Sequence, residues 1–476
     1  MSSDTPETPE QLYSAREPVF PRRIKGTFRS LKWWIMGIAL GVYYLTPWIR
    51  WDRGPNLPDQ AVLVDLANRR FFFFWIEIWP HEFYFVAGLL IMAGLGLFLF
   101  TSALGRVWCG YACPQTVWTD LFVLVERWVE GDRNARLRLH RQKWNGEKFR
   151  KYLTKWALWL MIAIATGGAW VFYFTDAPTL LKNLVTFQAP PVAYGTILVL
   201  TLTTFGFGGF AREQICIYAC PWPRIQAAMM DEDTITIGYR EWRGEPRGKG
   251  KNREGLGDCI DCNACVTVCP MGIDIRDGQQ LACITCGLCI DACNEMMDKI
   301  GKPHGLIGYL ALKDEPEERA AGRPVTHVAK HIFRPRTILY FVLWGAVGLG
   351  IVVALFIRPD LTITVRPERN PVFVTMADGA IRNTYEVGIR NTHGNMRPYY
   401  VTLGDTTPGL DVSVQGGDGA VVEVPADTES KVRVYVTAPT GSPEAKADRT
   451  PLRIWVTDGE SGDRAEHDTV FNGRGQ

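Results

Sequence analysis

The stretch Cys259–Asn294, CIDCNACVTVCPMGIDIRDGQQLACITCGLCIDACN, contains eight cysteines in two copies of one spacing, C-x-x-C-x-x-C-x-x-x-C. The first copy ends in Cys-Pro, whereas Asn294 stands in the equivalent place after the second. Three thiolates two residues apart can hold one face of an iron-sulfur cube, and the fourth cysteine of each run reaches the other cube. The spacing therefore predicts the ligands of two 4Fe-4S clusters.

The same spacing assigns each ligand to a cluster. Cluster one takes Cys259, Cys262, Cys265 and Cys293, and cluster two takes Cys283, Cys286, Cys289 and Cys269. Zinc sites and disulfides are the alternatives, but two such copies fit neither a C-x-x-C zinc pair nor a loop-rich disulfide scaffold. The segment, about residues 250–300, is therefore interpreted as a bacterial-type ferredoxin domain that carries electrons.

The rest of the composition indicates contact with a membrane rather than with nucleic acid. The net charge is only +2 over 476 residues, which excludes a strongly basic nucleic-acid binder. About 20 apolar residues of helix cross the hydrocarbon core, with roughly 17 as the lower limit. Five uncharged apolar runs predict such spans: Trp33–Ile49, Phe83–Phe100, Trp156–Phe174, Ala189–Phe210 and Thr337–Ile357.

Basic residues predict the orientation of these spans. Six precede the first run, and eleven lie between Arg106 and Lys155, whereas the opposite loops carry four and one. The positive-inside rule places the amino terminus and the ferredoxin in the cytoplasm and, with five spans, the carboxyl end outside. Residues 1–20 lack a cleavable signal pattern. All twelve cysteines fall on the predicted cytoplasmic side, where thiols stay reduced.

Beyond Arg358, alternating segments separated by Gly, Pro, Asp and Asn predict an immunoglobulin-like β-sandwich. The predicted strands are Leu361–Arg366, Thr384–Arg390, Tyr399–Leu403, Leu410–Val414, Val421–Val424, Val432–Val436 and Leu452–Val456. Before the ferredoxin, Arg70–Pro80 is interpreted as an aromatic interfacial segment. Ile235–Gly257, rich in Arg, Lys and Gly, is interpreted as a linker.

The predicted fold class is therefore a multi-domain membrane protein: an α-helical transmembrane bundle of about five spans with an inserted ferredoxin and a C-terminal β-sandwich. The predicted domains are a cytoplasmic tail (1–30), a four-helix membrane domain with two C-x-x-x-C-P motifs (31–211), a cytoplasmic region with the ferredoxin (212–336), a fifth transmembrane helix (337–357) and a periplasmic immunoglobulin-like domain (358–476).

A second set of cysteines lies just after the second and fourth runs. Cys109 and Cys113 belong to WCGYACP, and Cys216 and Cys220 belong to CIYACPW. The shared Tyr-Ala-Cys-Pro indicates diverged repeats, which would bring the four thiols together at the inner membrane surface. Thiolates are soft ligands that suit Cu(I) or an iron site. The alternative is that these cysteines only pack as small apolar side chains.

Histidines give a weaker signal. His81, at the outer end of the second run, is a candidate contact for a quinone, a haem or copper, but an interfacial histidine without such a role is the expectation. His327 and His331 lie four residues apart before the last run, where a solvated linker is the expectation. No phosphate-binding loop, dinucleotide motif or nucleophile elbow stands out.

The paired C-x-x-x-C-P motifs, the eight-cysteine ferredoxin, the fifth span and the exported β-domain together closely resemble the CcoG/FixG/RdxA family of cytochrome oxidase accessory proteins. The resemblance covers nearly the whole chain. It implies a multi-pass protein of the bacterial inner membrane that reduces Cu(II) to Cu(I) for assembly of cbb-type cytochrome oxidase. It also implies a copper-exporting ATPase and oxidase assembly factors as partners.

Two alternatives share these motifs. The membrane half is also similar to membrane ferredoxins that oxidise quinol and feed periplasmic reductases. A copper-binding assembly scaffold without turnover is the third reading. Loss of the cluster ligands would leave a scaffold functional, whereas it would disable either electron-transfer protein.

Overall fold

The computed structural model describes residues 18–55, 57–250, 253–325, 328–359, 361–404, 409–416 and 419–475. Most of the predicted tail therefore lies outside the described residues, as does His327. The chain divides into two compact units. The first comprises Met1–Arg50 and Gln60–Ile351, and the second comprises Trp51–Asp59 and Val352–Gln476.

Helices dominate the first unit up to the ferredoxin. They are α1 (Thr27–Leu45), α2 (Tyr84–Leu104), α3 (Val107–Tyr111), α4 (Pro114–Glu130), α5 (Arg133–Arg141), α6 (Gly146–Val171), α7 (Ala177–Val185), α8 (Pro191–Thr204) and α9 (Trp222–Met229). Two π-helical segments, Phe205–Ala211 and Ile215–Ala219, lie between α8 and α9. Such segments are rare and often occur at functional sites.

Three helices among the described residues are long and apolar enough to cross a membrane: α2, Pro191–Ala211, and α15 (Pro335–Phe356). They match the second, fourth and fifth predicted runs. The first and third runs fall in α1 and α6, which are 19 and 26 residues long. Both helices carry Lys or Arg in their first half, which lowers their mean hydropathy. The count of five spans stays a prediction.

The aromatic segment before α2 is part of a small antiparallel sheet. Its strands are β1 (Val62–Asp65), β2 (Arg70–Phe73) and β3 (Ile76–Ile78), in the order β1-β2-β3. The guanidinium of Arg70 lies 3.7 Å from the ring centre of Trp79 and 3.2 Å from the carboxylate of Glu77. Strand pairing thus gives the backbone of this aromatic run its hydrogen bonds. The interpretation as an interfacial segment does not predict these strands.

The ferredoxin region begins earlier than the spacing predicts. The elements are β4 (Thr236–Tyr239), α10 (Glu241–Gly244), α11 (Ala264–Val268), α12 (Leu288–Lys299), β5 (Ile307–Leu310), α13 (Glu315–Ala321) and α14 (Val328–Ile332). Strand β4 pairs antiparallel with β5 and buries Ile237 and Tyr239. The prediction of a linker over Ile235–Gly257 is therefore wrong for its first part, because three alternating apolar residues are too few to stand out from a basic segment.

Helix α1 starts on the ferredoxin. The carboxylate of Asp291, on α12, accepts hydrogen bonds from the backbone N–H groups of Phe28 (3.3 Å) and Arg29 (2.8 Å). These are donors of the first helical turn, which have no partner inside the helix. A Cβ on Gly26 would lie 2.2 Å from Cγ of Asp291. Only glycine therefore permits this close approach. The two hydrogen bonds to Asp291 attach the start of α1 to the ferredoxin region.

The second unit is a two-sheet β-domain. Its strands are β6 (Thr362–Pro367), β7 (Val374–Thr375), β8 (Ile381–Arg390), β9 (Arg397–Leu403), β10 (Asp411–Val414), β11 (Val421–Val424), β12 (Glu429–Ala438), β13 (Arg449–Asp458) and β14 (Arg464–Asn472), with a short helix α16 (Pro443–Lys446). One sheet has the order β10-β12-β8-β6, with β7 beside β8, and the other has the order β11-β9-β13-β14. Alternate residues face a shared core that includes Tyr385, Val401 and Ile454. The structure confirms all seven predicted strands and adds β7 and β14.

Candidate iron-sulfur and thiolate site

The four cysteines assigned to cluster one line a single pocket. Cys265 lies on α11 and Cys293 on α12, while Cys259 and Cys262 come from the loop before α11. Asp261 and Asn263 have φ of 51° and 54°, a left-handed conformation that Asp and Asn tolerate better than most residues. These two left-handed residues change the direction of the loop. The structure thus brings the four predicted ligands of cluster one together.

The cysteines assigned to cluster two line a second pocket. It contains Cys269, Cys283, Cys286 and Cys289, with Cys265 also on its wall. Thr285 and Gly287 repeat the left-handed turns of the first loop, with φ of 55° and 76°. Left-handed φ is unusual for a β-branched residue such as Thr285. The two loops therefore have the same backbone design around two similar pockets.

The arrangement suits clusters better than single metal ions. Among the described residues, no group of three or more His, Cys, Asp or Glu side chains is close enough to hold one ion. In a 4Fe-4S cube each of the four cysteines binds a different iron, so the thiols stand further apart. Burial raises the pKa of Cys269 and of Cys293 to about 12. Since the ligands bind as thiolates, cluster insertion must release their protons.

The two C-x-x-x-C-P motifs have the same local backbone. The first cysteine of each pair lies on a short helical segment, Cys109 on α3 and Cys216 on the π-helical turn. The second cysteine of each pair is extended and stands before the next helix, with φ/ψ of −59°/129° for Cys113 and −78°/126° for Cys220. Proline follows in both motifs because its fixed φ suits a helix start. The shared backbone agrees with a common origin for the two motifs.

All four of these thiols are half-buried and interact electrostatically. Burial, together with the nearby thiols Cys113, Cys109 and Cys220, raises the pKa of Cys216 to about 12. Burial also raises the pKa of Cys109, although Arg106 opposes that shift. The Cys109 thiol donates a hydrogen bond of 3.2 Å to the side-chain oxygen of Gln226. The four thiols of Cys109, Cys113, Cys216 and Cys220 therefore lie near one another, in a region that we call the thiol neighbourhood.

This neighbourhood packs directly against the cluster-two loop. The Tyr111 hydroxyl donates a hydrogen bond of 2.9 Å to the main-chain carbonyl of Cys286. A Cβ on Gly110 would lie 2.5 Å from the carbonyl oxygen of Ile284. Cys109 and Cys216 both pack against the core that contains Ile284 and Cys286. The sequence gives no signal for Tyr111, because the second motif has the same Tyr-Ala-Cys-Pro.

The histidines take no part in this neighbourhood as far as they are described. The side chain of His81 lies outside the described residues, as does all of His327. His331 is buried, and its ring nitrogens lie 3.0 Å from Asp233 and 2.8 Å from Asp314. The expectation of a solvated linker is therefore wrong for His331, because the two carboxylates hold its ring inside the first unit.

Three segments of the chain match known protein families. Residues 211–311 match a family described as "4Fe-4S dicluster domain", which includes Cys216, Cys220 and all eight ferredoxin cysteines. Residues 85–133 match a "4Fe-4S binding domain", which includes Cys109 and Cys113. Residues 351–474 match the "IG-like fold at C-terminal of FixG". The iron-sulfur and immunoglobulin-like domains predicted from the sequence are confirmed.

Whole-chain relatives extend the same result. The chain is 69% identical to Protein RdxB of Cereibacter sphaeroides over 100% of both chains, and 63% identical to Protein RdxA of the same organism over 98% and 99%. It is 52% identical to the nitrogen fixation protein FixG of Rhizobium meliloti over 90% of this chain and 88% of that protein. A crystal structure of a FixG-related protein from Vibrio parahaemolyticus aligns with 24% of this chain and 97% of its own, with 15% identity and a TM-score of 0.21. The identity and coverage of the three relatives show that the chain belongs to the RdxA/RdxB/FixG family of membrane iron-sulfur proteins.

Proposed function

We propose that this protein is a cupric reductase of the bacterial inner membrane, which supplies Cu(I) for the assembly of cbb-type cytochrome oxidase. The observation that carries the proposal is the contact between the first C-x-x-x-C helix and the cluster-two loop. Tyr111 and Gly110 touch the backbone around Cys286, so a metal held by Cys109 and its neighbours would lie beside cluster two.

Cluster two and the proposed copper site would both exchange one electron at a time. A reduced 4Fe-4S cluster gives up one electron, and Cu(II) takes one electron to become Cu(I). Soft thiolates favour the Cu(I) product over Cu(II). The four half-buried thiols, Cys109, Cys113, Cys216 and Cys220, are the candidate copper ligands. A pair of them would hold the ion, because no three of these described side chains are close enough to share one. The description of the C-terminal family also names FixG as an oxidoreductase candidate.

The cellular arrangement is part of the same proposal. Basic residues on α1, α4, α5 and the start of α6 favour a cytoplasmic ferredoxin, and an odd number of spans places the β-domain in the periplasm. Cytoplasmic reduction suits a product that a copper-exporting ATPase carries outward to the oxidase assembly factors. The two partners are inferred from this direction of copper flow and from the family resemblance.

The experiment that tests this proposal changes Cys109 and Cys216 to Ala in the cell. We expect the double variant to lose cytoplasmic Cu(II) reduction and to lower cbb-type oxidase activity, while electron paramagnetic resonance still detects both clusters. Surplus copper should partly restore the oxidase. A variant that lacks Cys262 should also lose Cu(II) reduction, which distinguishes a reductase from a scaffold that only binds copper. Normal oxidase assembly in the Cys109/Cys216 variant would reject the copper role.

A further inference from the structure

A cavity of about 210 Å³ lies beside the cluster-two cysteines, on the side of Cys283. Arg106, two residues beyond the end of α2, forms one wall. Ala227 and Met230 contribute from α9 and the residue after it, and Gln279 and Gln280 contribute from the loop before Cys283. A cavity of about 150 Å³ can already hold a benzene ring, so this one has room for a single ring. Cys283 is a cluster-two ligand, but none of the other described lining residues is a cluster ligand or a candidate copper ligand.

The wall has the chemistry of a site for a neutral or anionic oxygen compound. None of the described residues that line it is acidic, whereas Arg106 is a cation that is only 2% exposed. Its Nε has no hydrogen-bond partner among the described residues. The amide nitrogens of Gln279 and Gln280 donate to the Thr236 hydroxyl and to the main-chain carbonyl of Asp274. Each amide has a second N–H that can donate to a ligand carbonyl. No carboxylate among the described residues lines the cavity to attract a copper ion, whereas these donors suit a ring that carries carbonyl or hydroxyl oxygens.

The cavity also shares a wall with the pocket of the cluster-two cysteines. Cys283 and Ile237 line both this cavity and the cluster-two pocket. A bound ring would therefore touch a cluster ligand. Gly105 ends α2, which is long and apolar enough to cross a membrane. The cavity thus lies at the end of a candidate span, where a lipid-soluble compound leaves the bilayer.

We propose that this cavity binds the ring of a quinol and that cluster two receives its electrons. Oxidation of one quinol to quinone releases two electrons and two protons. The two clusters, held by the eight ferredoxin cysteines, would each accept one electron, and the protons would pass to water at the open side of the cavity. Two Cu(II) ions then reoxidise the clusters. This inference rests on the proposed electron-transfer function and names the class of its electron donor.

The test blocks the cavity without touching a cysteine. Ala227 and Ala228 are neighbours on α9, but Ala227 lines the cavity and Ala228 is exposed. Ala227→Phe places a ring in the cavity, and Ala228→Phe is the matched control. Full-length proteins are purified anaerobically and dialysed to equilibrium against ubiquinone-1. We expect the wild type and Ala228→Phe to bind it saturably, and Ala227→Phe to bind it at least about tenfold more weakly.

Electron transfer is measured on the same three proteins. Ubiquinol-1 should bleach the cluster absorbance of the wild type and of Ala228→Phe but not of Ala227→Phe, whereas dithionite should bleach all three. If Ala227→Phe loses its clusters, Gln279→Leu replaces it, with the same loss expected and with Gln142→Leu on the exposed end of α5 as its control. Equal binding and bleaching by the blocked variant, or no saturable binding by the wild type, would overturn the proposal.

A further measurement distinguishes this inference from the copper function. Protein reduced with dithionite and freed of excess reductant needs no quinol. Such Ala227→Phe protein should still reduce Cu(II) at the wild-type rate. If prereduced wild-type protein fails to reduce Cu(II) but binds ubiquinone-1 and is bleached by ubiquinol-1, the copper function is wrong and the quinol site stands.

Discussion

The hydroxyl of Tyr111 donates a 2.9 Å hydrogen bond to the main-chain carbonyl of Cys286. A residue of the first C-x-x-x-C-P motif is thereby fixed to the loop that holds cluster two. Tyr218 stands at the same place in the second motif and is 57% exposed. The two motifs have therefore diverged in role, since only the first uses its tyrosine to dock on the cluster domain.

Tyr111→Phe should disturb cluster two and spare cluster one. The change leaves the buried carbonyl of Cys286 without this donor, which costs about 1–3 kcal/mol. We expect a shifted or broadened paramagnetic resonance signal from cluster two and slower Cu(II) reduction. Tyr218→Phe is the control and should leave both unchanged. Identical spectra for wild type and Tyr111→Phe would mean that the hydrogen bond has no influence on the cluster.

Gly110→Ala should weaken the same contact by steric overlap. The new methyl group would lie 2.5 Å from the carbonyl oxygen of Ile284 and 3.0 Å from Cα of Cys286, and backbone atoms cannot move aside as a flexible side chain can. We expect iron to be lost first from cluster two on mild heating. Gly168→Ala, where nothing lies within 4 Å of the added carbon, should retain iron like the wild type. Equal iron loss in both variants would argue against close docking.

The sequence predicts what local spacing and alternation encode. Cysteine spacing predicts which four thiols share each pocket, and alternation predicts seven strands of the β-domain. Strand β14 is missed because it pairs only with β13 and most of its residues are partly or fully exposed, so few apolar residues mark it. Contacts between distant segments, such as Tyr111 with Cys286 or Asp291 with α1, leave no periodic pattern and come only from the folded chain.

The β-domain should lose stability in acid through Asp458. Burial alone would raise the pKa of this carboxyl, but the N–H of Glu460 and the guanidinium of Arg397, both within 2.9 Å, hold it below its ordinary value. The stabilisation is therefore complete above the ordinary pKa of 3.8 and is lost as the pH falls through the lower folded value. Hydrogen exchange of β9 and β13 in the full chain should rise, relative to the intrinsic rate, below about pH 4.

Two variants check this assignment. Asp458→Asn should raise exchange of β9 and β13 already at neutral pH and flatten the acid response. Asp468→Asn removes an exposed pair with Arg453 and should change little, because exposed pairs contribute little to stability. An acid response that persists in Asp458→Asn would assign the effect to another group.

Reporter fusions should show the ferredoxin and the β-domain on opposite sides of the membrane. The basic loops determine which side of the membrane is cytoplasmic, and an odd number of spans places the amino and carboxyl termini on opposite sides. Alkaline phosphatase should be active when fused after Gln476 and inactive when fused after Cys293. Equal activity of the two fusions would require an even number of spans between these positions.

The most direct test of the copper function is a single turnover. Fully reduced protein, freed of excess reductant, is mixed with Cu(II) without oxygen, and cluster absorbance and trapped Cu(I) are followed together. We predict one Cu(I) for each cluster reoxidised, and a rate at least roughly hundredfold lower in Cys109→Ala/Cys216→Ala protein that retains both clusters. Reoxidation of that variant at the wild-type rate, with the same yield of Cu(I), would contradict the account.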